Sequence, residues 1–134
     1  MKYEVLEHTA DLMVRAYGKT LEECFANAAY ALFDRTVDLS GVSPLEGIEV
    51  RTSGDCPEGR LYSFLAEMLF IEDCENLILC DFDVRFDGND VVCKAKGEKL
   101  DRAKHRTRSE IKAVTYHMME IDPSVPSVTV IFDT

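Results

Sequence analysis

No stretch of this 134-residue chain approaches the roughly 20 consecutive apolar residues that a membrane-spanning helix needs. Met1-Lys2-Tyr3-Glu4 runs straight into strand-like sequence without a signal peptide's apolar region, so the expected location is the cytoplasm, with no membrane partner. Basic excess is missing too. With 15 Lys and Arg against 25 Asp and Glu, the net charge is −10. Holding nucleic acid depends on a basic surface that releases counterions from phosphates, so this composition argues against RNA or DNA binding by the chain alone. A basic protein partner fits better, although negative charge also simply keeps a small domain soluble.

The five cysteines, Cys24, Cys56, Cys74, Cys80 and Cys93, are odd in number and lack CxxC or paired zinc-ligand spacing. That pattern excludes a disulfide framework or a structural zinc site and predicts reduced, mostly structural thiols. There is no internal repeat, linker or low-complexity segment. Composition is ordinary for a globular protein, at 46% hydrophobic and 30% charged residues, which predicts one domain over 1–134. Nor is there a recognisable nucleophile beside a base. His105 and His117 stand isolated, and a stand-alone hydrolase is disfavoured.

What is present is a clear sequence of elements. Residues 2–8 and 12–17 read as two short strands. Thr20 and Glu23 have capping-box spacing ahead of a helix whose apolar stripe is Leu21, Cys24, Phe25, Ala28, Ala29, Leu32 and Phe33. A loop from Asp38 to Pro44 leads to a strand from Glu46 to Thr52, and a second helix spans about Gly59 to Cys74. Alternation from Ile78 to Phe86, a turn at Asp87-Gly88-Asn89-Asp90 and a return through Val91 to Ala95 predict a hairpin. Gly97 to Ser109 concentrates cations. Residues 110–120 favour a strand, with a helix still open because of Ala113, Met118 and Met119. Val128, Val130 and Phe132 mark a final strand. The order predicts an α+β fold, two main helices packed on a mostly antiparallel or mixed sheet.

Two acidic ends stand out: Glu7-His8-Thr9-Ala10-Asp11 before the second strand and Phe132-Asp133-Thr134 after the last. If those strands are neighbours, Asp11, Asp133 and the carboxylate of Thr134 converge. Bare carboxylates about 4 Å apart repel by roughly 4 kcal/mol at an effective dielectric of 20, so convergence asks for a divalent cation or a shared proton. The alternative for Asp11 is a hydrogen bond to its own backbone.

Glu7-His8-Thr9-Ala10-Asp11, Gly18, Leu21-Glu22-Glu23-Cys24-Phe25-Ala26-Asn27-Ala28, Gly97-Glu98, Lys104-His105, Glu110-Ile111-Lys112-Ala113-Val114-Thr115-Tyr116-His117 and Ile131-Phe132-Asp133 together resemble the archease family from end to end. The resemblance implies no enzyme but an accessory protein of the RtcB-type tRNA-splicing RNA ligase. Such a protein promotes the ligase's histidine–GMP intermediate and its multiple turnover, and meets RNA and GTP only through the ligase. It also implies a metal site at Asp11, Asp133 and Thr134, usually for calcium, with magnesium or manganese open. Thr134 departs from the Ile more usual there, so only a backbone or terminal oxygen carries over. His8 is expected to support the site, and Lys104, His105 and Lys112 to meet the partner or phosphate groups. A general chaperone or scaffold for RNA-processing enzymes is the alternative.

Overall fold

The computed structural model describes residues 1–6 and 11–134. Strands β1 (Tyr3–Leu6) and β2 (Leu12–Tyr17) lead into helix α1 (Leu21–Thr36). Strand β3 (Glu46–Ser53), helix α2 (Pro57–Glu75), the hairpin β4 (Leu77–Asp87) and β5 (Asp90–Lys99), then β6 (Ala113–Asp122) and β7 (Ser127–Asp133) complete the order. This is the expected α+β class, with the strands divided between two antiparallel sheets, ordered β1-β2-β7-β6 and β3-β5-β4. Both helices touch both sheets: α1 packs on β2, β7 and β4, and α2 on β6 and β3. No helix among the described residues is long and apolar enough to cross a membrane.

Local chemistry sets the boundaries. Thr20 caps α1 by accepting from the Glu23 amide at 3.2 Å, and Glu23 reaches back to the amide of Lys19. The reciprocal half of the capping box thus lands one residue earlier than the usual arrangement. Helix α2 begins at Pro57, two residues before the expected Gly59, because the Cys56 sulfur accepts from the Gly59 amide and Pro57 fits the first helical position. Gly88, with φ of +61°, occupies the first central position of the hairpin turn, where a type II′ turn demands a positive φ.

The core is one contiguous cluster drawn from both helices and both sheets. Ala28 and Ala29 are fully buried and let α1 lie close to its neighbours. Phe25 bridges Phe64 of α2 and Phe86 of β4, while Phe33 stacks on Phe82. Each such ring contributes about 1.5–3 kcal/mol through burial. One irregularity shapes the second sheet: the β4–β5 register shifts at Cys80, between the Leu79–Gly97 and Asp81–Lys96 pairs. The bulge brings Ile78 against β5, where a side chain at position 97 would collide with the Ile78 carbonyl oxygen and lie 2.7 Å from Leu79 Cα. Only glycine fits there.

Candidate functional site

β2 and β7 are central neighbours in the four-stranded sheet, paired antiparallel from Tyr17–Ser127 to Leu12–Phe132. Leu12, Val14 and Ala16 with Val128, Val130 and Phe132 face the helices and belong to the core. The pairing ends at Leu12–Phe132, so Asp11 and Asp133 each follow one residue beyond it at the same end of the two strands, and Asp133, alternating with Phe132, belongs to the sheet face turned away from α1. Asp133 is exposed and Asp11 half-buried.

The position of Asp133 is fixed from its other side as well. Ala113 of β6 pairs with it, and the Lys112 amide donates to its carbonyl oxygen at 2.7 Å. Lys112 therefore lies beside Asp133, with its side chain exposed. Thr134 follows directly and is also exposed. Farther along the same face, Met13, Ile131 and Thr115 form one cross-strand row and Arg15, Thr129 and Glu120 the next. Arg15 Nε donates to Thr129 Oγ1 at 3.2 Å.

This donor set suits a hard cation better than a soft one. The groups these residues offer are carboxylate and backbone oxygens, with no cysteine among them, and calcium accepts an open site completed by water or by a partner's groups. Among the described residues no cluster of three or more His, Cys, Asp or Glu side chains is assembled. His8, expected in a supporting role, lies outside the described residues, as does the rest of the 7–10 segment.

Lys104 and His105 occupy a separate place, tens of residues from either acidic end. Lys104 Nζ sits 2.9 and 2.8 Å from the two carboxylate oxygens of Glu98 and 3.3 Å from Ser43 Oγ. The Ser43 amide also donates to Glu98, which is only 9% exposed. These donors, Lys104 foremost and then the Ser43 amide, outweigh burial and hold the Glu98 carboxyl down at about 2. The His105 ring is buried; its Nδ1 accepts from the Asp101 amide at 2.9 Å, which puts the ring proton on Nε2. Nε2 lies 3.1 Å from Glu98 Oε2, off the line of a well-formed hydrogen bond. The arrangement clamps the 98–105 segment, a structural duty for both side chains.

The remaining cations of this loop divide their work. Arg108 donates to the Asp34 carbonyl at 3.0 Å and lies near the Asp34 and Asp38 carboxylates. Its amide and that of Ser109 take the Thr36 and Arg35 carbonyls, satisfying the end of α1. Lys99 Nζ donates to the Glu75 carbonyl at the end of α2. Cationic side chains at helix C-termini also complement the helix dipole. Lys99, Lys104 and Arg108 are thereby committed to the fold, while Arg102 and Arg106 are exposed. The five cysteines are free, and burial pushes the Cys24 and Cys93 thiols up to about 11 and about 12. Neither is a nucleophile in that state.

The Archease protein family (MTH1598/TM1083) matches residues 3–134 of this sequence. The chain belongs to the archease family. Relatives named Protein archease include one from Pyrococcus abyssi, 45% identical over 125 residues that cover 90% of this chain and 88% of that protein. Another, from Thermococcus gammatolerans, is 46% identical with the same coverage. The solution structure of Methanobacterium thermoautotrophicum protein 1598 superposes with a TM-score of 0.84 at 33% identity, covering 99% of each chain. The fold also matches a Thermotoga maritima archease described as a possible chaperone, with a TM-score of 0.65 at 23% identity over 96% of this chain and 94% of that one. In this archease-family chain, sequence reading identified the acidic ends but gave no role to Glu98, the acceptor at the centre of the clamp. The signal available was a lone acidic residue ending an alternating strand, beside a glycine.

Proposed function

We propose that this protein is a metal-binding accessory protein of a GTP-dependent RNA ligase of the RtcB type. It promotes formation of the ligase's histidine–GMP intermediate and its multiple turnover. The observation that carries this reading is the β2–β7 pairing, which ends at Leu12–Phe132 and so leaves Asp11 and Asp133 at the same end of neighbouring strands. Two carboxylates that meet at a sheet end repel unless a cation or a partner's cationic groups join them. Asp11 and Asp133 would hold the ion, with a backbone oxygen of Thr134 completing the protein's share and Lys112 beside them. When bound, calcium supplies positive charge that can orient phosphate oxygens in a partner's cleft. The chemistry of guanylylation stays with the ligase.

The protein's own residues then do three things. The β2–β7 ladder fixes the two strands that lead to the carboxylates, the bond from the Lys112 amide to the Asp133 carbonyl anchors the strand end, and the exposure of that end leaves room for a second molecule. Membership of the archease family supports the reading. The test is a reconstitution of purified ligase, GTP and this protein. Asp11→Ala and Asp133→Ala are each expected to abolish stimulation of guanylylation; full stimulation by both variants refutes the proposal.

A second reading, a general chaperone or scaffold for RNA-processing enzymes, draws on the description of the Thermotoga maritima relative as a possible chaperone. Stimulation that survives both substitutions but falls when surface acidic residues elsewhere are neutralised favours it.

A further inference from the structure

β6 does not pair continuously with β7. The pairs step from Thr115–Ile131 to Glu120–Thr129, so Tyr116, His117, Met118 and Met119 span a distance that β7 covers with Val130 alone. Three surplus residues bulge from an edge strand of the four-stranded sheet. Met118 sits there with φ of +55°, a conformation that side chains other than Gly, Asn and Asp rarely adopt, and it is 54% exposed. Tyr116 is 56% exposed and lies flat on Tyr62 of α2, with ring centroids 4.1 Å apart and planes 7° from parallel. One face of Tyr116 is thus fixed by the fold and the other is open. Bulges of this kind re-aim side chains next to functional sites, and this one begins three residues from Ala113, the partner of Asp133.

A rigid aromatic face and an exposed thioether on one protrusion form a contact point ready-made for a planar group. The charge around it selects the group. Glu58 lies one helical turn before Tyr62 on the same helix and the chain carries −10 overall, while Glu120 and the acidic ends belong to the opposite face of the sheet. A nucleobase would bring its phosphate into the field of a net-acidic chain, whereas a guanidinium gains from both the ring face and that negative charge. We propose that the Tyr62–Tyr116 stack and Met118 form a docking point for an arginine-bearing segment of a partner protein. The inference rests on the proposed function only for the premise of a protein partner.

The test has two arms. In the first, the full chain, labelled for NMR, is titrated with nona-arginine, nona-lysine and oligoadenylate. Nona-arginine is expected to shift the Tyr62, Tyr116 and Met118 resonances at concentrations where nona-lysine leaves them unmoved. Tyr116→Phe should retain this response and Tyr116→Ala should lose it. Equal responses to the two peptides, or stacking of oligoadenylate in their place, overturn the inference. In the second arm, affinity for the purified ligase is compared between variants. Tyr116→Ala is expected to weaken it at least about tenfold, as hot-spot aromatics do. Met118→Gly, which relieves the left-handed backbone, should raise the melting temperature while weakening binding; unchanged affinity in both variants also overturns the inference. If the unmodified chain shows no affinity for the ligase, the proposed function fails and the peptide arm alone decides this surface.

Discussion

Lys104 grips Glu98 through both carboxylate oxygens, at 2.9 and 2.8 Å, across a nearly buried interface closed by Ser43 and His105. Because these donors hold the Glu98 carboxyl down at about 2, against 4.5 when free, the folded protein binds fewer protons than the unfolded chain between those values. The contribution is fully present above pH 4.5 and is lost as pH falls toward 2. Glu98→Gln should lower the melting temperature at pH 7, and the gap from the parent should narrow between pH 4.5 and 2. A gap that stays constant over that window contradicts the ionised clamp.

Glu72 carries the opposite sign. It lines a cleft of about 280 Å³ with Glu110, Arg102 and Arg108. Partial burial, then the hydrogen bond and charge of Asp73 and the charge of Glu110, push its carboxyl up to about 7. The folded state therefore holds a proton that the unfolded state releases near 4.5, and stability falls as pH rises from there through about 7. Allowing for solvent at a half-exposed group, Glu72→Gln should stabilise the protein by about 1 kcal/mol at pH 8 and by little at pH 4. Chemical denaturation at the two pH values checks this.

Gly97→Ala forces a Cβ into the Ile78 carbonyl, backbone against backbone. Neither strand has a flexible side chain that can yield. The expected loss is about 3 kcal/mol or more, measured by urea unfolding, and a loss under about 1 kcal/mol contradicts the bulge geometry.

Thr20→Ala removes the acceptor for the Glu23 amide at the start of α1. A loss of about 1 kcal/mol is expected in the same measurement. Here sequence and structure agree because a cap is a local interaction, settled within four residues. The same holds for the Gly88 turn and for the apolar stripe of α1. The division of the strands into two sheets was not legible, since alternation marks a strand's faces but not its neighbours. The bulge at Cys80 escaped for a related reason: an unbroken alternation through Leu79, Cys80 and Asp81 gives no sign that the register to β5 shifts there. In β6 the helix-compatible run of Met118 and Met119 falls within the surplus residues that interrupt pairing, which is why its strand signal was mixed.

At the candidate site the sequence identified the acidic ends, and the β2–β7 pairing supplies what pattern alone lacked, that their strands are neighbours. In sequence Lys104 and His105 read as contacts for a partner or phosphate groups, because nothing in the pattern links them to Glu98, only a few residues earlier, which the fold brings against them.

The central claim is that Asp11 and Asp133 share one cation. Anomalous scattering from crystals soaked in calcium, and separately in manganese, tests it most directly. The account predicts one peak bridging the two carboxylates, with oxygens about 2.3–2.6 Å from calcium, and no peak there in the Asp11→Asn, Asp133→Asn double variant. Well-ordered carboxylates with no peak between them at saturating metal would contradict it.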